Sequence, residues 1–284
     1  MNFLKDHNFI GCDAPYKGAK SVVVGLPYDG TSSFRPGSRF APDSIRKHSY
    51  SIETFSHEQE RDITDYKIAD LGNLDLPYGS SEAALKLVEQ LAAKLIKDKK
   101  KALYIGGEHL LTYPIMKQYG KKYKDLKVIY FDAHADFREG YTGSRLSHAS
   151  AARLTAEVVG NEDLYMFGIR SFERNEWLHM KKSNIYVDHR VERFHDVADM
   201  IRDFPVYMSL DMDVFDPACL PGLGTPEAGG IFYRDFVDLL PGLSKLNIVG
   251  MDVLEISPEY DPHGNSSIFG AKVIRELLLN TAVK

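Results

Sequence analysis

Cysteine is scarce in this chain, and its scarcity narrows the possibilities at once. Only two occur in 284 residues, Cys12 and Cys219. They stand far apart and in no C-x-x-C arrangement, which argues against a disulfide framework or a thiolate metal site and points to a reducing, cytoplasmic setting. Long hydrophobic runs are missing too. No stretch reaches the roughly 18 apolar residues of a membrane span, and the N-terminal MNFLKDHNFIGCDAPYKGAK carries no apolar segment of signal-peptide length. Positive charge is not in excess: 35 Lys and Arg stand against 40 Asp and Glu, a formal net charge of -5. Neither nucleic acid nor an anionic membrane surface is therefore the expected partner, and a small cation suits the chain better. Internal repeats, low-complexity tracts and Pro/Gly-rich linkers are absent as well, so the length is read as one domain spanning residues 1–284.

What the sequence does contain is an alternation of short β-branched or aromatic runs with longer segments of helical periodicity. That alternation predicts βαβ units around a parallel sheet, an α/β fold. The expected strands are Ser21–Leu26, Lys101–Ile105, Leu126–Asp132, Leu164–Gly168, Val206–Leu210 and Asn247–Leu254. Most are continuous apolar runs, as strands covered on both faces should be. The clearest helix follows Gly79–Ser81, where a serine cap precedes Ala84, Leu87, Val88, Leu91, Leu95 and Ile96 at three- and four-residue spacing. Others are expected from near Thr112 and over Val273–Leu279. The Gly- and Pro-dense stretch Asp216–Gly230 follows a strand, which in an open parallel sheet makes it a wall of the ligand crevice.

Three of the expected strands end in groups that bind hard or borderline metals. Gly106-Gly107-Glu108-His109 follows one, Asp132-Ala133-His134-Ala135-Asp136 a second and Asp211-Met212-Asp213 a third, and all three should meet at one sheet edge. If the second segment stays extended, the two-residue period places Asp132, His134 and Asp136 on one side, with Asp211 and Asp213 repeating that geometry. Four carboxylates gathered in a crevice repel one another unless cations neutralise them, and four negative charges match two divalent ions. Oxygen-rich donors with two histidines and no thiolate favour Mn²⁺, with Co²⁺, Fe²⁺ and Mg²⁺ also compatible with the donor types. Two such ions would share carboxylates and bring the pKa of a bridging water towards neutrality, supplying a hydrolytic nucleophile. No GxSxG or Cys-His motif offers an alternative nucleophile.

At these residues the chain resembles the ureohydrolase family of arginases, agmatinases, guanidinobutyrases and formiminoglutamases. The motifs are Gly106–His109, Asp132–Asp136, SLDMDVFDP at Ser209–Pro217 and Leu254–Ser257 around Glu255. The N-terminal GLPYDGTSSFRPGSRFAPDSIR is similar to the agmatinase branch in particular. The resemblance implies a three-layer αβα sandwich with a mainly parallel sheet and two Mn²⁺ per chain. It further implies that His109, Asp132, Asp136 and Asp211 hold one ion and Asp132, His134, Asp211 and Asp213 the other, with Asp132 and Asp211 bridging. Glu255 would bind the substrate guanidinium, which a carboxylate can meet bidentately. His148, similar to the family's flexible-loop histidine, would transfer a proton near the leaving amine. Asp136 would donate a proton to that amine. A homo-oligomer, trimer or hexamer, is also implied.

The expected substrate is agmatine, hydrolysed to urea and putrescine in polyamine metabolism. Arginases typically have an asparagine two residues after the last aspartate of D-x-H-x-D, whereas this chain has Arg138 followed by Glu139, which argues against arginase. Arg138 would bind the carboxylate of 4-guanidinobutyrate if it faced the pocket, and would leave the pocket to agmatine's ammonium if it turned outward or paired with Glu139. Two readings from other classes are a one-metal, deacetylase-like amide hydrolase and a catalytically silent relative with a regulatory role. The complete ligand set weighs against both.

Overall fold

A computed structural model describes residues 1–281. Its strands are β1 (Phe3–Leu4), β2 (Ser21–Leu26), β3 (Phe55–Ser56), β4 (Arg61–Asp62), β5 (Ile68–Leu74), β6 (Lys101–Gly106), β7 (Lys127–Phe131), β8 (Leu164–Phe167), β9 (Tyr186–Asp188), β10 (Pro205–Asp211) and β11 (Asn247–Leu254). The helices are α1 (Ala41–Ser49), α2 (Ser81–Lys97), α3 (Thr112–Lys122), α4 (Ala151–Val159), α5 (Arg174–Lys182), α6 (Phe194–Ile201), α7 (Tyr233–Leu243) and α8 (Asn265–Thr281). Nine strands form one sheet in the order β1-β5-β2-β6-β11-β10-β7-β8-β9, parallel throughout except for the β1–β5 edge pair. The remaining two, β3 and β4, make a separate antiparallel ladder.

Alternate residues of each strand feed two separate cores, because successive side chains point to opposite faces. Val23, Leu103, Ile105, Ile129, Phe131, Met208 and Leu210 pack with residues of α1, α6, α7 and α8. On the other face Val22, Val24, Ala102, Tyr104, Val128 and Tyr130 pack with residues of α2, α3 and α4 and with Met180 of α5. Helices on both faces of a mainly parallel sheet make the three-layer αβα architecture. Both faces being covered explains why the strands read as continuous apolar runs. Among the described residues no helix is long and apolar enough to cross a membrane.

Two of the expected strands coincide with the observed ones, β2 and β11, and the other four differ by one residue at one or both ends. β7 stops at Phe131, so Asp132 lies just past the strand rather than in it. The expected capping of α2 is provided by Ser80, whose hydroxyl accepts the amide of Ala83 at 3.2 Å. The C-terminal helix is more than twice as long as its periodic apolar segment suggested, starting at Asn265.

Candidate active site

Four adjacent central strands, β6, β11, β10 and β7, end level with one another: Val253 pairs with Ile105, Asp211 with Leu254 and Leu210 with Phe131. Everything chemically distinctive in the sequence follows these four ends. His109 comes after β6, Glu255 after β11, Asp211 and Asp213 at and after β10, and the Asp132–Asp136 segment after β7. The turn after β6 needs its glycine. A Cβ on Gly107 would lie 1.8 Å from the Tyr28 carbonyl oxygen, so only a bare backbone fits there.

Backbone amides fix three of the carboxylates. Asp132 Oδ1 accepts His134 N at 2.6 Å, Asp213 Oδ1 accepts Ala133 N at 2.9 Å, and Asp211 Oδ1 accepts Asp213 N at 2.8 Å. Their Oδ2 atoms face the imidazoles. His109 Nδ1 lies 3.0 Å from Asp132 Oδ2, 3.0 Å from Asp211 Oδ2 and 3.7 Å from Asp136 Oδ2, while His134 Nδ1 is 2.8 Å from Asp213 Oδ2 and 3.6 Å from Asp132 Oδ1. Despite that proximity, Asp132 Oδ2 is buried with no hydrogen-bond donor. A buried carboxylate oxygen aimed at acceptors without a proton between them is costly unless a cation completes it.

The donor chemistry fits such a cation. His109, Asp132 and Asp211 form one group able to hold an ion, and Asp132, His134 and Asp213 form a second, with Asp132 common to both. A hydrogen-bond relay behind His109 sets its tautomer. Ser209 donates its one hydroxyl proton to Asp252 Oδ1 at 2.6 Å and can then only accept from His109 Nε2, 2.8 Å away. That leaves the Nδ1 lone pair turned towards the carboxylates, the arrangement by which a neighbour orients a metal-ligating histidine. Tyr207 and Thr112 also donate to Asp252, at 2.7 and 3.0 Å. Tyr130 lies flat against the His109 ring at 4.4 Å between centroids and donates to Asp136 Oδ2 at 3.3 Å. Burial, reinforced by Asp132, pushes the Asp136 carboxyl well above the usual range, and burial with Asp213 and Asp132 does the same to Asp211.

The segment after β7 does not stay extended. Asp136 has φ +48°, in the left-handed region, and Asp213 sits in a 3-10 turn, so a two-residue period does not align either set of ligands. Turns that fold back on Asp132 and Asp211 bring the side chains together instead. Glu255 is likewise left-handed, at φ +69°, and its Oε1 accepts the amide of His109 at 2.7 Å. Burial raises its pKa to about 7. His148 is not a free loop residue: it opens a 3-10 turn before α4, its amide donates to Thr31 Oγ1 at 3.0 Å, and its Nε2 lies 3.2 Å from Ser33 Oγ. Burial, together with the charges of His134, His109 and Arg138, lowers its pKa.

A cavity of about 380 Å³ opens over these groups, lined among others by His134, Asp136, Arg138, His148, Glu173, Glu176, Asp211 and Glu255. Arg138 faces it but is engaged. Its Nη1 is 3.1 Å from Glu173 Oε1, its Nε 4.0 Å from Glu176 Oε2, and its guanidinium lies over the Tyr141 ring at 4.4 Å. Glu139 pairs with Arg153 instead. Sequence reasoning overlooked Glu173 and Glu176. Their signal was present as a helix-capping pair three residues apart at the start of α5, where Glu176 accepts both Glu173 N and Phe137 N. Glu108 was passed over as well, although it is fully buried, and burial with the neighbouring Glu255 raises its pKa to about 8.

Comparison with known proteins was consistent. The Arginase family model matches residues 19–280. The chain is 39% identical over 275 residues to the agmatinase of Bacillus cereus, covering 95% of each chain. The crystal structure of agmatine ureohydrolase of Thermoplasma volcanium matches with a TM-score of 0.87 and 31% identity, over 98% of this chain and 94% of that one. Proclavaminate amidino hydrolase from Streptomyces clavuligerus matches with a TM-score of 0.89 and 30% identity, over 98% and 97%.

Proposed function

This chain belongs to the arginase family, and from that premise we propose that it hydrolyses the guanidinium group of agmatine, releasing urea and putrescine. The observation that carries the reading is the convergence of four aspartates, two histidines and Glu255 at and just beneath the floor of a cavity whose outer wall is net acidic. The relatives named as agmatinases support the substrate. We assign the two donor groups to two divalent cations, manganese by donor type, with Asp136 completing the first and Asp211 reaching both. Such a pair supplies hydroxide at neutral pH.

The chain's own residues do the rest. Glu255, held by the His109 amide, accepts N–H groups of the planar guanidinium and fixes its carbon above the carboxylate floor. The buried Asp136 holds a proton for the departing amine. His148, whose pKa burial keeps low, exchanges that proton with solvent at the cavity mouth. Around Arg138 the two carboxylates of Glu173 and Glu176 leave one negative charge over, which suits agmatine's terminal ammonium and disfavours a carboxylate tail. Exposed rings of Phe34, Phe40, Tyr78 and Tyr260 support a homo-oligomer, trimer or hexamer, that covers them. The two unpaired cysteines support a cytoplasmic location.

Urea release by the manganese-loaded protein, with agmatine, 4-guanidinobutyrate and arginine in parallel, tests the reading. Agmatine should dominate, and Glu173→Gln should raise its KM about tenfold, the worth of one charged contact. Preference for 4-guanidinobutyrate would make Arg138 the tail-binding group, and urea from none of the three would remove the proposed activity.

A further inference from the structure

The segment Tyr28–Arg39 follows β2 in the sequence and, the exposed ring of Phe34 apart, has no assigned task, yet it carries the groups that restrain His148. Thr31 is bound twice to the fully buried Glu108: its amide donates to Oε2 at 2.7 Å and its hydroxyl to Oε1 at 2.8 Å. A threonine hydroxyl has one proton. Whichever of the two groups holds the proton between them, the hydroxyl oxygen keeps a lone pair, and it accepts the backbone amide of His148 at 3.0 Å, with His148 Nδ1 3.5 Å away. Glu108 is itself immobile, since its amide donates to the Tyr28 carbonyl at 2.8 Å in the turn where Gly107 leaves no clearance. The loop is closed on its other side by Asp29, which accepts Gly37 N at 2.8 Å and pairs with Arg39.

We propose that Thr31 is a positioning residue, which transmits the rigidity of the buried Glu108 to the backbone of His148 and so holds that imidazole over the cavity. The inference rests on the role given to His148 in the proposed function. Ser33, 3.2 Å from Nε2, steadies the far side of the ring, but it is a surface contact and the weaker restraint. No charge moves in this account. The Thr31–Glu108 pair works by geometry, and a misplacement of the acting group by about 1 Å is enough to slow a reaction about a hundredfold.

Four variants test it: Thr31→Val, Thr31→Ser, His148→Ala and the double variant Thr31→Val/His148→Ala, each assayed for urea release from agmatine with manganese. Thr31→Val keeps the shape, loses the hydroxyl, and should lower kcat between about ten- and a hundredfold with KM little changed. Thr31→Ser should recover most of the rate. In the His148→Ala background Thr31→Val should change the rate by less than about twofold, because two residues acting as one unit are not additive. Hydrogen exchange supplies a readout apart from activity: amides of His148–Ser150 should exchange faster in Thr31→Val and not in Thr31→Ser. Independent, multiplying effects of the two substitutions, or unaltered exchange at His148 in Thr31→Val, would overturn the inference while leaving the function in place. Full turnover by His148→Ala would remove the role of that histidine and this inference with it.

Discussion

The two edges of the central sheet differ in what their charges answer to. At the edge where β2, β6 and β11 begin lies a cavity of about 610 Å³, larger than the one over the candidate site, lined by seven lysines and, among the described residues, no carboxylate. Five of those charges have local explanations. Lys97 ends α2 and Lys121 and Lys122 end α3, where cations complement the helix dipole. Lys100 and Lys101 donate to the carbonyls of Tyr16 and Thr281, at 2.8 and 3.0 Å. At the opposite edge the aspartates are buried, they crowd one another, and one of their oxygens has no donor at all. Size and charge density alone would have chosen the wrong edge. Charge that no neighbouring group accounts for chooses the right one.

The largest expected effect bears on the aspartate shared by both donor groups. Asp132→Ala should lower kcat by about three orders of magnitude, the scale on which losing a preorganised electrostatic group acts, and should lower the metal content per chain. Full activity with fewer metal ions per chain would break the contrast between the edges by making the acidic cluster dispensable. A second test strips the metal. In the folded protein burial holds the carboxyls of Glu108 and Glu255 protonated up to about pH 8 and about pH 7, whereas unfolded glutamates release their protons near 4.5. The metal-free protein therefore carries more protons folded than unfolded, and its stability should fall as pH rises from about 4.5 to 8. Asp136 and Asp211, raised in the same sense, add to that slope. Denaturant titrations with and without manganese would measure it, and a flat profile without metal would refute the burden assigned to these carboxyls. The smallest effect belongs to the lysine edge. Lys97→Ala with Lys122→Ala should alter unfolding free energy by no more than about 0.5 kcal/mol per site and leave urea release unchanged.

Legibility followed the same division. The strands β2 and β11 could be read to the residue because continuous apolar runs have one explanation in a parallel sheet. β5, IADLGNL, was missed because Asp70, Gly72 and Asn73 interrupt its run. Its polarity is matched by Arg46 of α1, whose Nε and Nη2 reach Asp70 at 2.8 and 3.0 Å, both side chains being buried. A partner 24 residues away leaves no periodic trace. At the site, residue types and strand ends were legible, so the same six donors named from the sequence come together in space. Their geometry was not. The alignment expected of D-x-H-x-D gives way to a left-handed turn at Asp136, and although aspartate enters that region more readily than most residues with a Cβ, nothing in the local pattern marks where the turn falls. Glu173 and Glu176 were hidden in another way, because two glutamates three residues apart at a helix start have the pattern of a capping pair and nothing that marks a site.

The left-handed backbone at Asp136 and Glu255 also bears on how such a chain could be altered in the laboratory. Residues with a Cβ resist that conformation by about 1–2 kcal/mol, a penalty that glycine does not incur. A screen that rewards heat resistance alone would thus be drawn to glycine at these two places. The hardier proteins it returned would be the ones that had given up the carboxylates on which the chemistry depends.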